Sequence, residues 1–397
     1  MNSEFTTKLP YLVAFLTGHM KNRNDKLNLW AKVKREHDDE LCELLGVDAK
    51  WGIQAGKLLG FDIDEKRQLV LLNYSPTAHN LLHEVVDGWS DELRLLRGVV
   101  YSYETAGQVE GVTLVSRGFE KFFNQGELPE TSMENLASMS GDTKLRCTRK
   151  EDGHMIEYFI HDGKLCTTTR GRLGTPSAVG ALELMELDDF KEAWVACLNK
   201  GFDLMSLVCE FVHPMTTVHV DYAGAKQIFL LEAYDADGNP ATPEVRDAIC
   251  EALPEVILPV DVVFMTLQTL HDEINDRSVV NQEGWVAVIP NGDGEGRRVK
   301  FKYISYIGEM VKSKLSYKYL MNCIKNDRLD YMLITLPEEI RTTAYEMVDE
   351  VLVKLKEGQD TGAKAGWWSL YDLYAPSEGG INNFRNVCRA YYKSQTN

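Results

Sequence analysis

A chain of 397 residues, 44% apolar and 26% charged, is long enough for two or three domains with ordinary hydrophobic cores and has a globular rather than a disordered composition. Its 60 acidic and 43 basic side chains give a net charge of -17, which excludes a protein that coats nucleic acid non-specifically, because affinity for phosphate backbones comes mostly from Lys and Arg. The eight cysteines, at 42, 147, 166, 197, 209, 250, 323 and 388, form no CxxC pair and have no histidine at metal-ligand spacing, so free thiols are expected.

In chain order, YLVAFLTGHM, LNLWAKVKREHDDELCELLG and WGIQAGKLLG space their apolar residues three or four apart, and the last two close on glycine. Residues 1 to about 60 are therefore expected to be helical. The apolar run YLVAFLTG is too short to cross a bilayer and lacks a basic leader or a small-residue cleavage site, so a cytoplasmic protein with no membrane partner is expected. From about 66 the pattern changes to short β-type runs: QLVLLNY, RGVVYSY, GVTLVSR, HMIEYFI, KLCTTTR, SLVCEFV, QIFLLEAYD, GWVAVIP and RRVKFKYI. FIHDGKL reads as a hairpin turning on Asp162 and Gly163, and IPNGDGEGRRVKF as a second with a longer connection. Helical stretches fall between them, in GALELMELDDFKEAWVACLNKG and PEVRDAICEAL. After about 306 the pattern is helical again, in EEIRTTAYEMVDEVLVKLKEG and INNFRNVCRAYYKS, around the breaker-rich GWWSLYDLYAPSEGG. The fold class expected is α+β on antiparallel sheets, divided as a helical N-terminal extension 1–65, a central domain 66–306 and a helical C-terminal domain 307–397.

Three fragments carry chemistry. CTRKEDGHMIEYF sets Lys150 after Arg146 and Arg149 and before Asp152. A lysine that attacks phosphorus must be neutral, so neighbouring positive charge or desolvation has to lower its ordinary pKa of about 10.4, whereas direct pairing with Asp152 would raise it. A surface lysine beside a Glu-Asp-Gly turn explains the same residues. LVCEFV and NQEGWVAVI bury Glu210 and Glu283 among apolar neighbours, where an unpaired carboxylate costs several kcal/mol; strand-end carboxylates paired with an arginine are the alternative. VKFK puts Lys300 and Lys302 on one face of a strand, where two like charges call for an anion, unless that face is solvated. From Arg297 to Lys318 the basic residues Arg297, Arg298, Lys300, Lys302, Lys312, Lys314 and Lys318 meet a single acid, Glu309, the one locally basic stretch in an acidic chain.

The order KxDG, a glutamate in an apolar strand, LLEAYD, EGWV and KxK resembles the covalent nucleotidyltransferase superfamily of polynucleotide ligases and capping enzymes. RKEDGH, SRGFEKFFNQGE, CEFVHP and EGWVAVI are similar to the phage-type ATP-dependent RNA ligases that reseal broken tRNA, over roughly residues 66 to 306. The resemblance implies that residues 66–306 are an antiparallel-sheet adenylation domain, and it implies roles position by position. Lys150 would attack the α-phosphate of ATP and carry AMP, with Asp152 helping to orient it. Glu210 would bind the ribose hydroxyls, and Glu283 the catalytic Mg²⁺ or Mn²⁺. Lys300 and Lys302 would grip the α-phosphate. Arg97 and Lys121 would meet phosphates of ATP or of the RNA end, with Phe122 and Phe123 in the core. Arg170 stands where the family usually has a lysine, and a guanidinium fork does not deliver the same point charge.

The implied partner is RNA with 5′-phosphate and 3′-hydroxyl ends, a cleaved tRNA among the candidates, bound by a monomer in a cytoplasm, that of an infected host if the chain is virus-encoded. A DNA ligase or a GTP-using capping enzyme is the alternative within the superfamily; both normally follow KxK with an oligonucleotide-binding barrel, where helices are expected here. An inactive RNA-binding protein is the alternative of another class, but it would have no use for the lysine and the metal glutamate. Tyr391, Tyr392 and Lys393 suit stacking and phosphate contact, with core packing of the tyrosines as the other reading.

Overall fold

The computed structural model describes residues 8–20, 26–82, 85, 88–216, 219–290, 296–315, 319–320, 323, 329, 332–333, 336 and 338–360. By contacts the chain forms two compact units, Met1–His271 with Asn281–Phe301, and Asp272–Val280 with Lys302–Asn397.

The first unit holds three sheets. One is an antiparallel meander of β1 (Leu59–Asp64), β2 (Leu69–Tyr74), β3 (Arg97–Ser102) and β4 (Thr113–Ser116). All six residues of β2 are buried, because each face of that strand meets a different core. Val70, Leu72 and Tyr74 pack with Leu9, Leu12 and Leu16 of the helix Lys8–His19 and with Leu41 and Leu45 of the helix Asp38–Leu45. Leu69 and Leu71 pack with Val100, Phe159 and Leu173. The N-terminal helices therefore cover one side of a sheet that would otherwise expose its apolar face; each fully buried leucine contributes about 1.5–3 kcal/mol.

The expected helical run to residue 60 is only partly realised. LNLWAKVKREHDDELCELLG breaks into the helices Lys26–Glu36 and Asp38–Leu45 at His37, whose backbone is non-helical. WGIQAGKLLG forms no α-helix: it makes two single 3-10 turns and enters β1 at Leu59, inside the stretch expected to be helical. There, apolar spacing records burial of Ala55 and Leu58 in the core, not helical period.

The other two sheets have five strands each, in the orders β11-β10-β9-β7-β8 and β12-β6-β13-β14-β5. Their members are β5 (Phe123–Asn124), β6 (Leu145–Lys150), β7 (His154–His161), β8 (Lys164–Thr169), β9 (Leu204–Val212), β10 (Gln227–Asp235), β11 (Ile257–Pro259), β12 (Val262–Met265), β13 (Gly284–Ile289) and β14 (Arg297–Lys302). β10 pairs in parallel with β11 and β14 with β5, while β10–β9, β9–β7, β7–β8, β12–β6 and β6–β13 are antiparallel. All nine runs read as strands are strands, and β1, β5, β6, β11 and β12 join them. The first hairpin turns at Asp162 and Gly163, both at positive φ (49° and 69°), the geometry that an Asp-Gly pair supplies for a two-residue turn. GALELMELDDFKEAWVACLNKG splits between the helices Pro176–Ala181 and Leu187–Leu198. With the helix Pro243–Ala252, these cover the face of β9 and β7 that carries Ile156, Tyr158, Leu207, Cys209 and Phe211. The opposite face of β9 carries Val208 and Glu210, and the site is built there.

In the second unit, Tyr303 Oη donates to Glu273 Oε1 at 2.7 Å and Ser305 Oγ to the Val279 carbonyl at 2.6 Å. The helices Ile304–Lys314 and Glu338–Asp360 bury Tyr306, Met310, Ile340, Ala344 and Val348. The aromatic segment 366–380, INNFRNVCRAYYKS with Tyr391, Tyr392 and Lys393, and Lys318 lie outside the described residues. No described helix is long and apolar enough to cross a membrane. The described cysteines are free thiols.

Candidate active site

Lys150 is the last residue of β6 and pairs in register with Gly284, the first residue of β13. That register brings Glu283 beside it: Lys150 Nζ lies 2.8 Å from Glu283 Oε2, with Glu283 4% exposed. The turn after Lys150 then leads to β7, whose Met155 is opposite Glu210 on β9. Glu210 Oε1 accepts the Gly153 N–H at 3.0 Å. The glycine is required by close approach, since a Cβ there would sit 2.5 Å from the Phe211 carbonyl oxygen. Burial pushes the Glu210 carboxyl up to about 7, with the Lys150 ammonium pulling it down and Glu283 pushing it further up. One amine and two carboxylates, from positions 60 and more residues apart, thus lie together.

Asp152 is held by backbone groups and a phenol. Its Oδ2 accepts the backbone N–H of both His219 (2.7 Å) and Val220 (2.9 Å), and its own N–H donates to Tyr222 Oη at 2.8 Å. Tyr222 in turn donates to Glu151 Oε2 at 2.8 Å, and burial raises its phenol well above the ordinary range. The segment 219–222 is also tied to Asn281, whose Oδ1 accepts the Asp221 N–H at 2.6 Å. Asp152 therefore pins the turn that follows Lys150 to a loop anchored at the approach to Glu283.

The cations form a second layer. Arg97 lies 5.3 Å over the Phe122 ring and Lys300 4.9 Å over the same ring. Lys300 is there because β5 pairs with β14 at Asn124 and Lys300, which brings Phe122 alongside. Burial pulls the Arg97 guanidinium down, Tyr74 and Glu210 favour its charge and Arg170 opposes it. Arg170 Nη1 donates to Tyr74 Oη at 2.9 Å. Lys121 is set apart: it is 3% exposed, 3.5 Å from Glu127 and enclosed by the rings of Tyr74, Trp89 and Phe123 at 4.6–5.7 Å. The expectation for EKFF put Lys121 at the site and Phe122 in the core; Lys121 meets the site cations only through the Tyr74 ring that it shares with Arg170. Phe123 is core, at 2% exposed; Phe122, partly buried, packs against Phe119, Val208 and Tyr234 and also offers its ring to the site cations. Lys302 falls in the second unit, 5.4 Å over the Tyr306 ring.

The structure thus brings together Lys150, Glu210, Glu283, Arg97, Arg170 and Lys300 within the first unit. Sequence reasoning missed Tyr74, Phe122, Tyr222 and Glu157. The last is fully buried on β7, accepts from Ser116 Oγ at 2.5 Å, and has its other oxygen without a hydrogen-bond partner. Gly98 and Gly118 make room for it, as a Cβ at either would lie within 2.6 Å of that oxygen. The one signal in the sequence was a glutamate in the middle of an apolar strand, the same signal that singled out Glu210.

A metal has to be tested against these donors. Among the described residues no group of three or more His, Cys, Asp or Glu is arranged to hold an ion unaided. Two carboxylates at one pocket still fit Mg²⁺ or Mn²⁺, hard ions that take one or two carboxylates and complete their shell with water and substrate phosphate.

Residues 95–210 match the family model described as RNA ligase. Among curated proteins, a protein described as an RNA ligase of Thermovibrio ammonificans is 35% identical over 130 residues, covering 31% of this chain and 31% of its own length. RNA ligase 1 of bacteriophage TS2126 is 31% identical over 164 residues, covering 40% of this chain and 39% of its own. The chain thus spans about a third of the length of the curated relatives it matches. Of solved structures, an archaeal ATP-dependent RNA ligase is 14% identical with a TM-score of 0.45, covering 81% of this chain and 82% of its own. A Naegleria gruberi RNA ligase variant with ATP and manganese is 15% identical with a TM-score of 0.34, covering 45% of this chain and 54% of its own. The stretch matched by the RNA ligase family model runs from just before the arginine strand β3, through the Lys150 turn, to Glu210.

Proposed function

We propose that this protein is an ATP-dependent RNA ligase that joins 5′-phosphate and 3′-hydroxyl ends through a lysyl-AMP intermediate. The observation that carries the reading is the Lys150 amine held 2.8 Å from Glu283 and beside the buried Glu210, with Lys150 and Glu210 both inside the segment that matches the RNA ligase model.

In the first step the Lys150 ammonium gives up a proton to water. The neutral nitrogen then attacks the α-phosphorus of ATP, forming a P–N bond as the bond to pyrophosphate breaks. In the second, an oxygen of the RNA 5′-phosphate attacks the same phosphorus and the lysine nitrogen departs, regaining a proton. In the third, the 3′-hydroxyl oxygen attacks the 5′-phosphorus, its proton passes to a base, and AMP leaves. Glu210 accepts from the ribose hydroxyls. Arg97, Arg170 and Lys300 neutralise phosphate oxygens, which is most of what a phosphoryl transfer asks of a protein. Glu283 would hold Mg²⁺ or Mn²⁺, which would supply charge neutralisation on the phosphates when bound. Lys121, buried in its aromatic cage, acts on phosphate only through a rearrangement of those rings, and Asp152 acts by holding the turn.

The helices before residue 65 are read as the cover of the adenylation domain (66–306), and residues 307–397 as the helical domain that chooses the RNA, a cleaved tRNA being the candidate. A monomer working in a cytoplasm, that of an infected host if the chain is virus-encoded, completes the reading. The test is incubation with Mg²⁺ and radiolabelled ATP or GTP, followed by a denaturing gel and mass spectrometry. One adenylate bound at Lys150, and none on Lys150→Ala, is expected. A wild-type protein that stays unlabelled, or takes label from GTP alone, overturns the reading.

A further inference from the structure

At the other end of β6 from Lys150, three arginines gather on one carboxylate. A bulge between Leu230 and Glu232 in β10 sets Glu232 opposite Val208, turning it onto the same face of the sheet as Glu210. Glu232 is 3% exposed and both of its oxygens are taken: Arg246 Nη1 donates to Oε1 at 2.6 Å and Arg298 Nη2 to Oε2 at 2.9 Å. Arg146 is left over. Half-buried on β6, its guanidinium makes no hydrogen bond or ion pair among the described residues. Burial and the charge of Arg246 pull its pKa down, Arg298 adds to this, and Glu232 and the exposed Asp247 only partly offset them.

Three guanidinium groups against two carboxylates leave net positive charge in a partly desolvated place, an arrangement that costs free energy until an anion fills it. The guanidinium fork matches the oxygens of a phosphate better than any other anion-binding side chain. Phe119, with Arg298 4.7 Å over its ring, supplies an aromatic face beside the cluster, as single-strand binding sites do. Arg146 and Lys150 lie on one face of β6 four residues apart, about 13 Å. A triphosphate with its α-phosphorus at Lys150 is too short to span that distance, whereas a polymer with a phosphate on every unit reaches it.

We propose that Arg146, flanked by Arg246 and Arg298, binds a backbone phosphate of the nucleic-acid strand whose end is being processed at Lys150. This rests on the RNA ligase reading and extends it to where the strand runs. The test compares wild type, Arg146→Ala and Arg146→Lys. Fluorescence anisotropy measures affinity for a short 5′-phosphorylated single-stranded RNA across a salt series, and lysyl-AMP formation is measured with ATP alone. Arg146→Ala is expected to bind the RNA several-fold more weakly, with a salt slope shallower by about 0.7, as loss of one single-strand phosphate contact requires. Arg146→Lys should recover part of the affinity, and lysyl-AMP formation should be unchanged in both. Unchanged RNA affinity overturns the proposal. So does slower lysyl-AMP formation with a raised KM for ATP, which would assign the arginines to the triphosphate, and so does a fall in Tm in both variants that accounts for the lost binding. If wild type never forms lysyl-AMP, the ligase reading fails, while the anisotropy series still decides the arginine site.

Discussion

A buried carboxyl behaves according to the partners it finds, and the three glutamates of the site region differ for that reason. Glu283 meets an ammonium; Glu210 meets a backbone N–H and a shared ammonium and is pushed up to about 7; Glu157 meets one hydroxyl and is pushed up to about 8 by burial. Below its unfolded pKa of about 4.3 Glu157 is neutral in both states and contributes no pH dependence. Between there and about 8 the folded protein holds a proton that the unfolded chain has released, so stability falls as pH rises through this window, by about 1.4 kcal/mol per pH unit at most. Glu157→Gln keeps the shape without the proton. Thermal unfolding of this variant should vary less between pH 5.5 and 8 than that of wild type, by several degrees; parallel profiles would show that the carboxyl does not titrate there. Glu210 and Glu283 were legible as chemistry because charged residues in apolar strands cost too much to be incidental. Lys121 and Phe122 were not: in a segment of irregular backbone, neighbouring residues need not alternate, and EKFF alone does not say which of its side chains faces the cations.

Strand pairing does the assembling. Lys150 and Glu283 are 133 positions apart, and the pairing of Lys150 with Gly284 is what makes them neighbours. A one-residue slip would turn every side chain of β13 to the other face. Sequence reading recovered the strands themselves because their alternation is local, and the Asp162-Gly163 hairpin because its turn chemistry is local. It overran where apolar spacing had a different cause: WGIQAGKLLG buries Ala55 and Leu58 without a helix. The N-terminal helices show a dependence of one element on another. Leu16, fully buried against the face of β2, should cost about 2–5 kcal/mol on replacement by Ala. Since those helices and the meander share one core, urea denaturation should show a single transition moved to lower midpoint. An early separate phase for the helices alone would contradict the shared core.

At the scale of the whole molecule, the two compact units separate Lys300 from Lys302, dividing a KxK pair that is continuous in sequence. If the second unit selects substrate, a chain ending at residue 306 should still form lysyl-AMP at Lys150 and still join simple single-stranded ends, but lose its preference for a nicked tRNA anticodon loop. Competition between the two RNAs measures this, and an unchanged preference would move selection into the first unit. Taken alone, the sequence determined the α+β class, the order of strands, and which lysine and glutamates to single out, because period, turn residues and the cost of burying charge are local properties of the chain. The tertiary structure decided that Asp152 pins a turn, that Phe122 rather than Lys121 meets the cations, and that Arg146 stands unmatched beside Glu232. Each of those depends on which distant strand lies opposite, a matter of register and bulges that no local pattern records.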